Sequence, residues 1–403
     1  MRVKLGDVCA SIYDGDHSAP PKSKSGIPFI TISNINAGDG FIDFSNTAFV
    51  PEEYCKSLKV ERKPKRGDVL YSVVGSFGIP SLIKSDEKFV FQRHIAILRP
   101  SERIDSTYLY YVLKDPNFYH WADAVAIGSA QRTVTLGQLR NKEIDLPDLE
   151  TQRRIAGVLS AYDELIENNR KQTKLLEEAA QRLYKDWFVD LNFPGHETTP
   201  IHNGLPEGWK MGSLLDIAEV IRGCSYSSDE IAGGEKMLIN LGNLAPFGGF
   251  RTGYEKPFSG KPRPDQAVAK GDVIMGLTEQ ATGLAGYAAL LPSVPEGSVI
   301  SADLVKLAPK DSVPSEFIYA LLRFGRLSDL ISPLANGTKI KHLRPESLPR
   351  AVALLPNVEL MRRYAECVGP LYDGIDTCQQ QIAAAREARD RLLPKLMTSE
   401  IRV

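Results

Sequence analysis

Lys65-Arg66-Gly67-Asp68-Val69-Leu70 returns later in the chain as Ala269-Lys270-Gly271-Asp272-Val273-Ile274, and this doubled run decides the fold. Working outward, Ile30-Thr31-Ile32-Ser33-Asn34-Ile35 returns as Ile239-Asn240-Leu241-Gly242-Asn243-Leu244, and Leu5-Gly6-Asp7-Val8 as Leu215-Asp216-Ile217. Leu146-Pro147 returns as Leu355-Pro356, and Tyr162-Asp163 as Tyr372-Asp373. The order is kept, and the offset stays at about 205 to 210 residues, far longer than the period of a solenoid repeat. The chain therefore carries two copies of one domain.

Each copy reads as short strands broken by turns. In the first, residues 29–32, 68–74 and 94–98 are rich in β-branched and aromatic side chains and bounded by Gly, Pro, Asn and Asp. One helix is expected over 106–113, with Ser106 as N-cap and Asp115-Pro116 as the stop. Its counterpart covers 314–322. The fold class is α+β: two tandem mixed α/β domains separated by two long helices that form an antiparallel coiled coil, in a pseudo-two-fold internal repeat.

The helices show in a change of texture. From 150 to 189 every Pro disappears and only Gly157 remains, while Glu, Lys, Arg, Gln, Leu and Ala dominate. Ile155, Leu159, Tyr162, Ile166, Asn169, Thr173, Leu176, Ala180, Leu183 and Trp187 recur at spacings of four and three, an a/d seam sustained over several heptads. A helix of roughly 40 residues extends about 60 Å, too long for the interior of a small domain. The chain ends on a matching seam of Val368, Leu371, Ile375, Cys378, Ile382, Ala385, Arg389, Leu392 and Leu396, with Gly369-Pro370 expected to break its first turns. Asn169 on the seam suits a residue that fixes register at some expense of stability. Asn192-Phe193-Pro194-Gly195 and the residues that follow read as a loop, and Pro206-Glu207-Gly208-Trp209 opens the second domain. The expected order is a domain over 1–149, a spacer helix over 150–190, a linker over 191–204, a second domain over 205–357 and a second spacer helix over 358–403.

Composition narrows the class. With 403 residues, a hydrophobic fraction of 43% and a formal charge of −1, two domains can each bury a core, and nothing suggests coating of nucleic acid by bulk charge. No apolar run approaches the roughly 18 to 20 residues a membrane helix needs, and the start lacks a signal peptide's apolar core, so a cytoplasmic location without membrane is expected. Cys9, Cys55, Cys224, Cys367 and Cys378 are odd in number and unmatched between the copies, which encodes neither a disulfide framework nor a zinc cluster.

Catalytic constellations are missing from the sequence. It has no Gly-x-x-x-x-Gly-Lys-Ser/Thr phosphate loop and no Gly-x-Gly-x-x-Gly after a strand. His17, His94, His120, His196, His202 and His342 have no metal-binding spacing, so neither a catalytic residue nor a metal site is assigned. What remains is a set of polar, Gly-flanked loops in both copies. In the first they are Ser72-Val73-Val74-Gly75-Ser76-Phe77-Gly78, Phe91-Gln92-Arg93-His94 and Gly128-Ser129-Ala130-Gln131-Arg132-Thr133. In the second they are Thr278-Glu279-Gln280-Ala281-Thr282-Gly283, Ile300-Ser301-Ala302-Asp303 and Asn336-Gly337-Thr338-Lys339-Ile340-Lys341-His342. Arg or Lys can bond guanine edges and Gln or Asn adenine edges in a major groove. The candidate DNA-binding residues are therefore Ser76, Gln92, Arg93, His94, Ser129, Gln131 and Arg132 in one copy, and Thr278, Gln280, Thr282, Ser301, Lys339, Lys341 and His342 in the other. Arg62-Lys63-Pro64-Lys65-Arg66 and Lys261-Pro262-Arg263 could add nonspecific phosphate contacts but read first as exposed charge.

With these parts assembled, the sequence resembles the specificity subunits of type I restriction-modification systems over essentially its whole length. The resemblance rests on Gly128-Ser129-x-Gln131-Arg132 through Leu139 to Leu146-Pro147, and on Glu150-Thr151-Gln152-Arg153-Arg154-Ile155-Ala156 through Leu159 and Asp163. It ends in Leu176-Glu177-Glu178 and Leu183-Tyr184-Lys185-Asp186-Trp187-Phe188. The second copy departs from it with Asn336-Gly337-Thr338-Lys339 and Val358-Glu359-Leu360-Met361-Arg362-Arg363. The resemblance implies two target-recognition domains, each reading one half of a split sequence in double-stranded DNA, with the helices as the ruler of the gap. It implies two modification subunits that bind S-adenosylmethionine and methylate adenine, restriction subunits that use ATP and Mg to translocate and cut, and no cofactor on this chain itself. The alternatives are a coiled-coil protein-binding scaffold without DNA contact, separable by its lack of steep salt dependence, and an enzyme with an unrecognised site.

Overall fold

The computed structural model describes every residue except Asp39, Ala130 and Ala232. The chain divides into two compact units, Met1–Asn169 with Gln381–Val403, and Arg170–Gln380.

In the first unit a four-stranded antiparallel sheet runs in the order Cys9–Asp14, Ile95–Pro100, Val69–Ser72, Pro80–Leu82. A three-stranded sheet sets Ile27–Ile30 between Ala48–Val50, antiparallel, and Val90–Phe91, parallel. Successive side chains of a strand point to opposite faces, so Val69, Tyr71, Ala96 and Leu98 enter one core while Leu70, Ile95 and Ile97 enter another. The second unit repeats the plan with Ala218–Arg222, Leu304–Pro309, Val273–Gly276 and Ala288–Leu290, and with Lys236–Ile239 between Lys256–Phe258 and the parallel Val299–Ile300. Here too Val273 and Met275 part from Ile274 into separate cores.

The repeated sequence runs build the same turns twice. Gly67 and Gly271 adopt positive φ of 90° and 85°, a backbone region that costs glycine nothing. The aspartate that follows ties the turn to the sheet. Asp68 accepts the Lys65 N–H at 2.9 Å and pairs with Arg99 at 2.7 Å, while Asp272 accepts the Ala269 N–H at 2.9 Å and pairs with Lys306 at 2.9 Å. Asn34 and Asn243 accept the N–H of Thr31 and Asn240, each at 3.0 Å, and donate to carbonyls further along the loop, Asn34 to Asp43 and Asn46 and Asn243 to Arg251. That cap ends the strand expected at 29–32 early: Ile27–Ile30 is extended and Ile32–Asn34 is a 3-10 turn.

The helix expected at 106–113 is Ser106–Lys114, but its N-cap is Asp105, whose carboxylate accepts from Thr107 and Tyr108. Asp115-Pro116 ends that helix and also starts another. Asp115 caps Pro116–Val125 with Pro116 in the first turn, where a missing N–H is no loss. In the second unit the matching helix is Ser315–Arg323, preceded by Pro314.

Two long helices, Leu149–Tyr184 and Val358–Met397, each give one half to each unit. Asp148 and Asn357 cap them through the N–H groups of Thr151 and Leu360, both at 2.9 Å. In the first unit Ile155, Ala156 and Leu159 share a core with Leu393 and Leu396, and Asp163 meets Arg389. In the second, Ala180 and Tyr184 share a core with Tyr364 and Val368, and the Cα of Gly374 faces Leu176. Within each unit rising numbers on one helix meet falling numbers on the other, so the halves run antiparallel. Of the seam residues, Ile155, Leu159, Ile166, Asn169, Trp187 and Leu396 are buried, while Tyr162, Leu176, Leu183, Ile375, Ile382 and Leu392 are half-buried.

The long helices differ from the sequence reading at two further points. Gly369-Pro370 does not break the C-terminal helix, which runs unbroken through it. Pro370 and Glu366, whose carbonyl lacks the proline's N–H, both lie on the exposed side, where water can serve that carbonyl. The first long helix ends in a π-helical turn, Lys185–Val189. The wider turn brings adjacent residues Trp187 and Phe188 into one aromatic cluster with Tyr184, Trp209, Phe317 and Tyr364.

Candidate nucleic-acid interface

In the first unit the three polar loops are knitted together at one place by main-chain bonds. Val73 donates to the His94 carbonyl at 2.9 Å, Val134 to the Val73 carbonyl at 2.9 Å, and Gly75 to the Arg132 carbonyl at 2.9 Å. Ile127 and Thr133 exchange N–H···O bonds of 2.9 and 2.8 Å. The loop of Gly128-Ser129-Ala130-Gln131 is thereby closed, although Ala130 lies outside the described residues. Gly128 has φ of 98°, and a Cβ there would lie 2.7 Å from the Gln131 carbonyl oxygen, so the tip requires glycine. Ser76, Arg93, Ser129, Gln131 and Arg132 are exposed, and Gln92 and His94 half-buried.

Arg132 is held on two sides. Its guanidinium lies over the Phe77 ring at 5.5 Å and donates to both the carboxylate and the carbonyl oxygen of Asp123, at the end of the Pro116–Val125 helix. Phe77 stacks on Tyr119 of the same helix at 6.0 Å. Gly78 has no alternative there, since a Cβ would come within 2.5 Å of the Tyr119 ring.

In the second unit Thr278–Glu279 pairs antiparallel with Lys341–His342, and Asn336 and His342 exchange main-chain bonds of 3.0 and 2.9 Å. The Glu279 carboxylate accepts the N–H groups of Gly283, Leu284 and Ala285, which closes the loop and leaves Gln280 and Thr282 exposed at its tip. Lys339, Lys341 and His342 are exposed on the neighbouring hairpin. Ser301 bridges Cys224 in parallel, as Gln92 bridges Asp16 in the first unit.

Two expected contact residues do not reach the surface. Thr278 is 3% exposed and gives its hydroxyl to Asp303 at 2.7 Å, and Ser301 is 1% exposed at the foot of the loop. Thr278 lies in the short strand Thr278–Glu279 and Ser301 in the bridge to Cys224, and both are packed inside the fold. Arg62 is likewise withdrawn from its basic run: it forms ion pairs with Asp14 and Asp16 at 3.3 and 3.1 Å inside the fold. Asp123, Tyr119 and Glu279 carry no motif of their own in the sequence that marks them. The Asp-Pro that opens the Tyr119 helix is the signal that could have found the first two.

Both units thus display side-chain donors of Arg, Lys and Gln on short loops braced by a sheet. No cluster of three or more His, Cys, Asp or Glu among the described residues could hold a metal ion. No helix among them is long and apolar enough to cross a membrane.

The family model "Type I restriction modification DNA specificity domain" matches residues 1–178. The type I restriction enzyme MjaIX specificity subunit of Methanocaldococcus jannaschii is 27% identical over 94% of this chain and 87% of its own length. The HindI specificity subunit of Haemophilus influenzae is 19% identical over 91% of this chain and 94% of its own. The fold is similar to the crystal structure of a type I restriction-modification S subunit from M. genitalium, with a TM-score of 0.59 and 16% identity over 98% of this chain and 95% of that one.

Proposed function

We propose that the chain is a specificity subunit of a type I restriction-modification system, like the proteins it resembles, and that it selects a two-part DNA target for a modification and restriction complex in the cytoplasm. Residues 1–149 read one half-site and 205–357 the other. The helices over 150–190 and 358–403 set the unread gap and seat two modification subunits, and 191–204 links the halves. Methylation and cleavage, with S-adenosylmethionine, ATP and Mg, belong to the partner subunits. This chain supplies specificity and performs no chemistry.

The observation that carries this reading is the doubled placement of exposed polar loops. The sheets, the Gly-Asp turns and the Asn caps are kept in both units, whereas the displayed residues change from Ser76, Gln131 and Arg132 to Gln280, Lys339 and Lys341. A scaffold held constant beneath differing donors suits two readers of different sequence. Two linked readers bind far more tightly than either alone, because the second contact becomes intramolecular.

The test is selection from a randomised duplex library by the full chain with its modification partner, in wild type and in Arg132→Ala. Two short blocks with a fixed gap are expected from wild type. Arg132→Ala should flatten one block by about ten-fold in discrimination and leave the other intact. One contiguous block, or equal loss in both, would overturn the reading.

A further inference from the structure

We infer that Asp123 is a specificity-determining residue: it fixes the Arg132 guanidinium so that its free edge reads a guanine in the half-site of the first unit. The inference rests on the proposed DNA-reading role of that unit.

The pair is not explained by stability. Arg132 and Asp123 are 44% and 47% exposed, and ion pairs so open contribute little to folding. A carboxylate in a surface that approaches phosphates also weakens binding, since it repels the backbone and cancels a cation. Its presence beside an exposed arginine of the loop cluster needs another reason, and the geometry gives one.

An arginine has five N–H donors in a rigid plane. Asp123 takes one from each terminal nitrogen, through its carboxylate and its own carbonyl, which leaves Nε–H and one N–H on each terminal nitrogen. The Phe77 ring covers one face of the plane. The main chain is fixed as well, by the bond from Gly75 to the Arg132 carbonyl and by the Thr133 bridge to Ile127. A long side chain normally loses rotamer freedom on binding; here that ordering is already complete before DNA arrives. A planar fork with two adjacent free donors matches the O6 and N7 acceptors of guanine in the major groove.

The carboxylate also acts by exclusion. An unpaired guanidinium is drawn to any phosphate, which would hold the protein on DNA without reading it. With Asp123 neutralising it, Arg132 gains less from a phosphate and keeps the directional bonds that a base edge rewards. The second unit places Lys339 and Lys341 in its exposed hairpin; a lysine is a point charge without a fork. That hairpin of the second unit therefore holds no counterpart of the clamped fork.

The test uses the full chain with its modification partner on duplexes in which each position of both half-sites is varied in turn. Asp123→Asn and Asp123→Ala are compared with wild type and Arg132→Ala, after circular dichroism shows unchanged folding and melting. Both Asp123 variants should lose about ten-fold discrimination at one G·C pair, at the same position that Arg132→Ala flattens. Their affinity for unrelated DNA should rise, with a steeper salt dependence, while the other half-site stays unchanged. If Arg132→Ala flattens a G·C position and both Asp123 variants leave it intact, Arg132 reads unaided and the inference fails while the reading of the loops stands. If Arg132→Ala itself changes no base preference, the loop does not read DNA and both fail.

Discussion

Replacing Arg389 by Met should destabilise the first unit by about 3 kcal/mol, the low end of the range for breaking a buried ion pair. Arg389 is the largest fully buried side chain among the described residues, 1% exposed. It bonds the Asp163 carboxylate, Asp390 at 2.7 Å, and the Gly38 carbonyl at 3.5 Å. Asp163 keeps two other partners, the Tyr111 hydroxyl at 2.7 Å and Lys114 at 3.8 Å. Burial, then the Asp163 charge, pushes the Tyr111 phenol far above its usual range, so it remains a donor at any working pH. These partners hold the loss at the low end, because the carboxylate is left weakened rather than unpaired. Methionine fills much of the same volume without bringing charge. Urea unfolding followed by circular dichroism, with hydrogen exchange over 149–169, reads the loss locally. The double variant Arg389→Met with Asp163→Asn removes both charges of the pair and leaves an acceptor for Tyr111, while Lys114 loses its carboxylate and keeps its bond to the Tyr110 hydroxyl, so it should be less destabilised than the single variant without full recovery. A single variant costing under about 1 kcal/mol, or a double variant as damaged as the single, would refute the reasoning.

Two further outcomes test the second unit. Burial raises the Glu177 carboxyl above its usual range, partly offset by Arg323. An acid whose folded pKa is raised favours folding below its unfolded pKa and loses that contribution as pH rises through the folded one. Glu177→Gln should therefore gain stability relative to wild type on going from pH 4 to pH 7, measured by urea unfolding, and an unchanged difference across that interval would count against it. Lys339→Ala and Lys341→Ala should each relax base preference within the half-site of the second unit by about ten-fold and leave the other half-site unchanged; selection from a randomised duplex library would show this, and an even loss across all sequences would mark them as phosphate contacts instead.

Much of the scaffold is written locally, and this is why it could be read. Gly67-Asp68 and Gly271-Asp272 each make a turn from neighbouring residues, and Val69-Leu70-Tyr71 alternates between two cores by strand geometry alone. The helical seams were legible for the same reason, since a period of three and four residues is a local property. What escaped was set by partners distant in sequence. Arg389 falls on the apolar seam, and its burial is intelligible only through Asp163, 226 residues away. Thr278 and Ser301 look like loop donors in the sequence, yet whether a polar residue at a short strand or bridge faces inward depends on the sheet beneath. Pro116 reads as a stop because a proline ends helices, although the Asp-Pro pair serves equally well as a start.

The distribution of these successes has a physical cause. Residues that close turns and caps are constrained in both copies by the same backbone geometry, so Asp68 matches Asp272 and Asn34 matches Asn243 in partner as well as in position. Residues at the loop tips meet no such constraint: Gln131 and Gln280 both lie exposed, and nothing in the fold fixes their type. A scaffold whose turns and caps are served by one set of residues and whose surface loops carry another can change what it displays at little cost to its stability, because surface substitutions away from caps and cores shift stability by only about 0.5 kcal/mol. Asp123 stands between these classes. It is a surface residue whose partner is another surface residue, so its substitution should leave the melting temperature alone and change only what Arg132 can read.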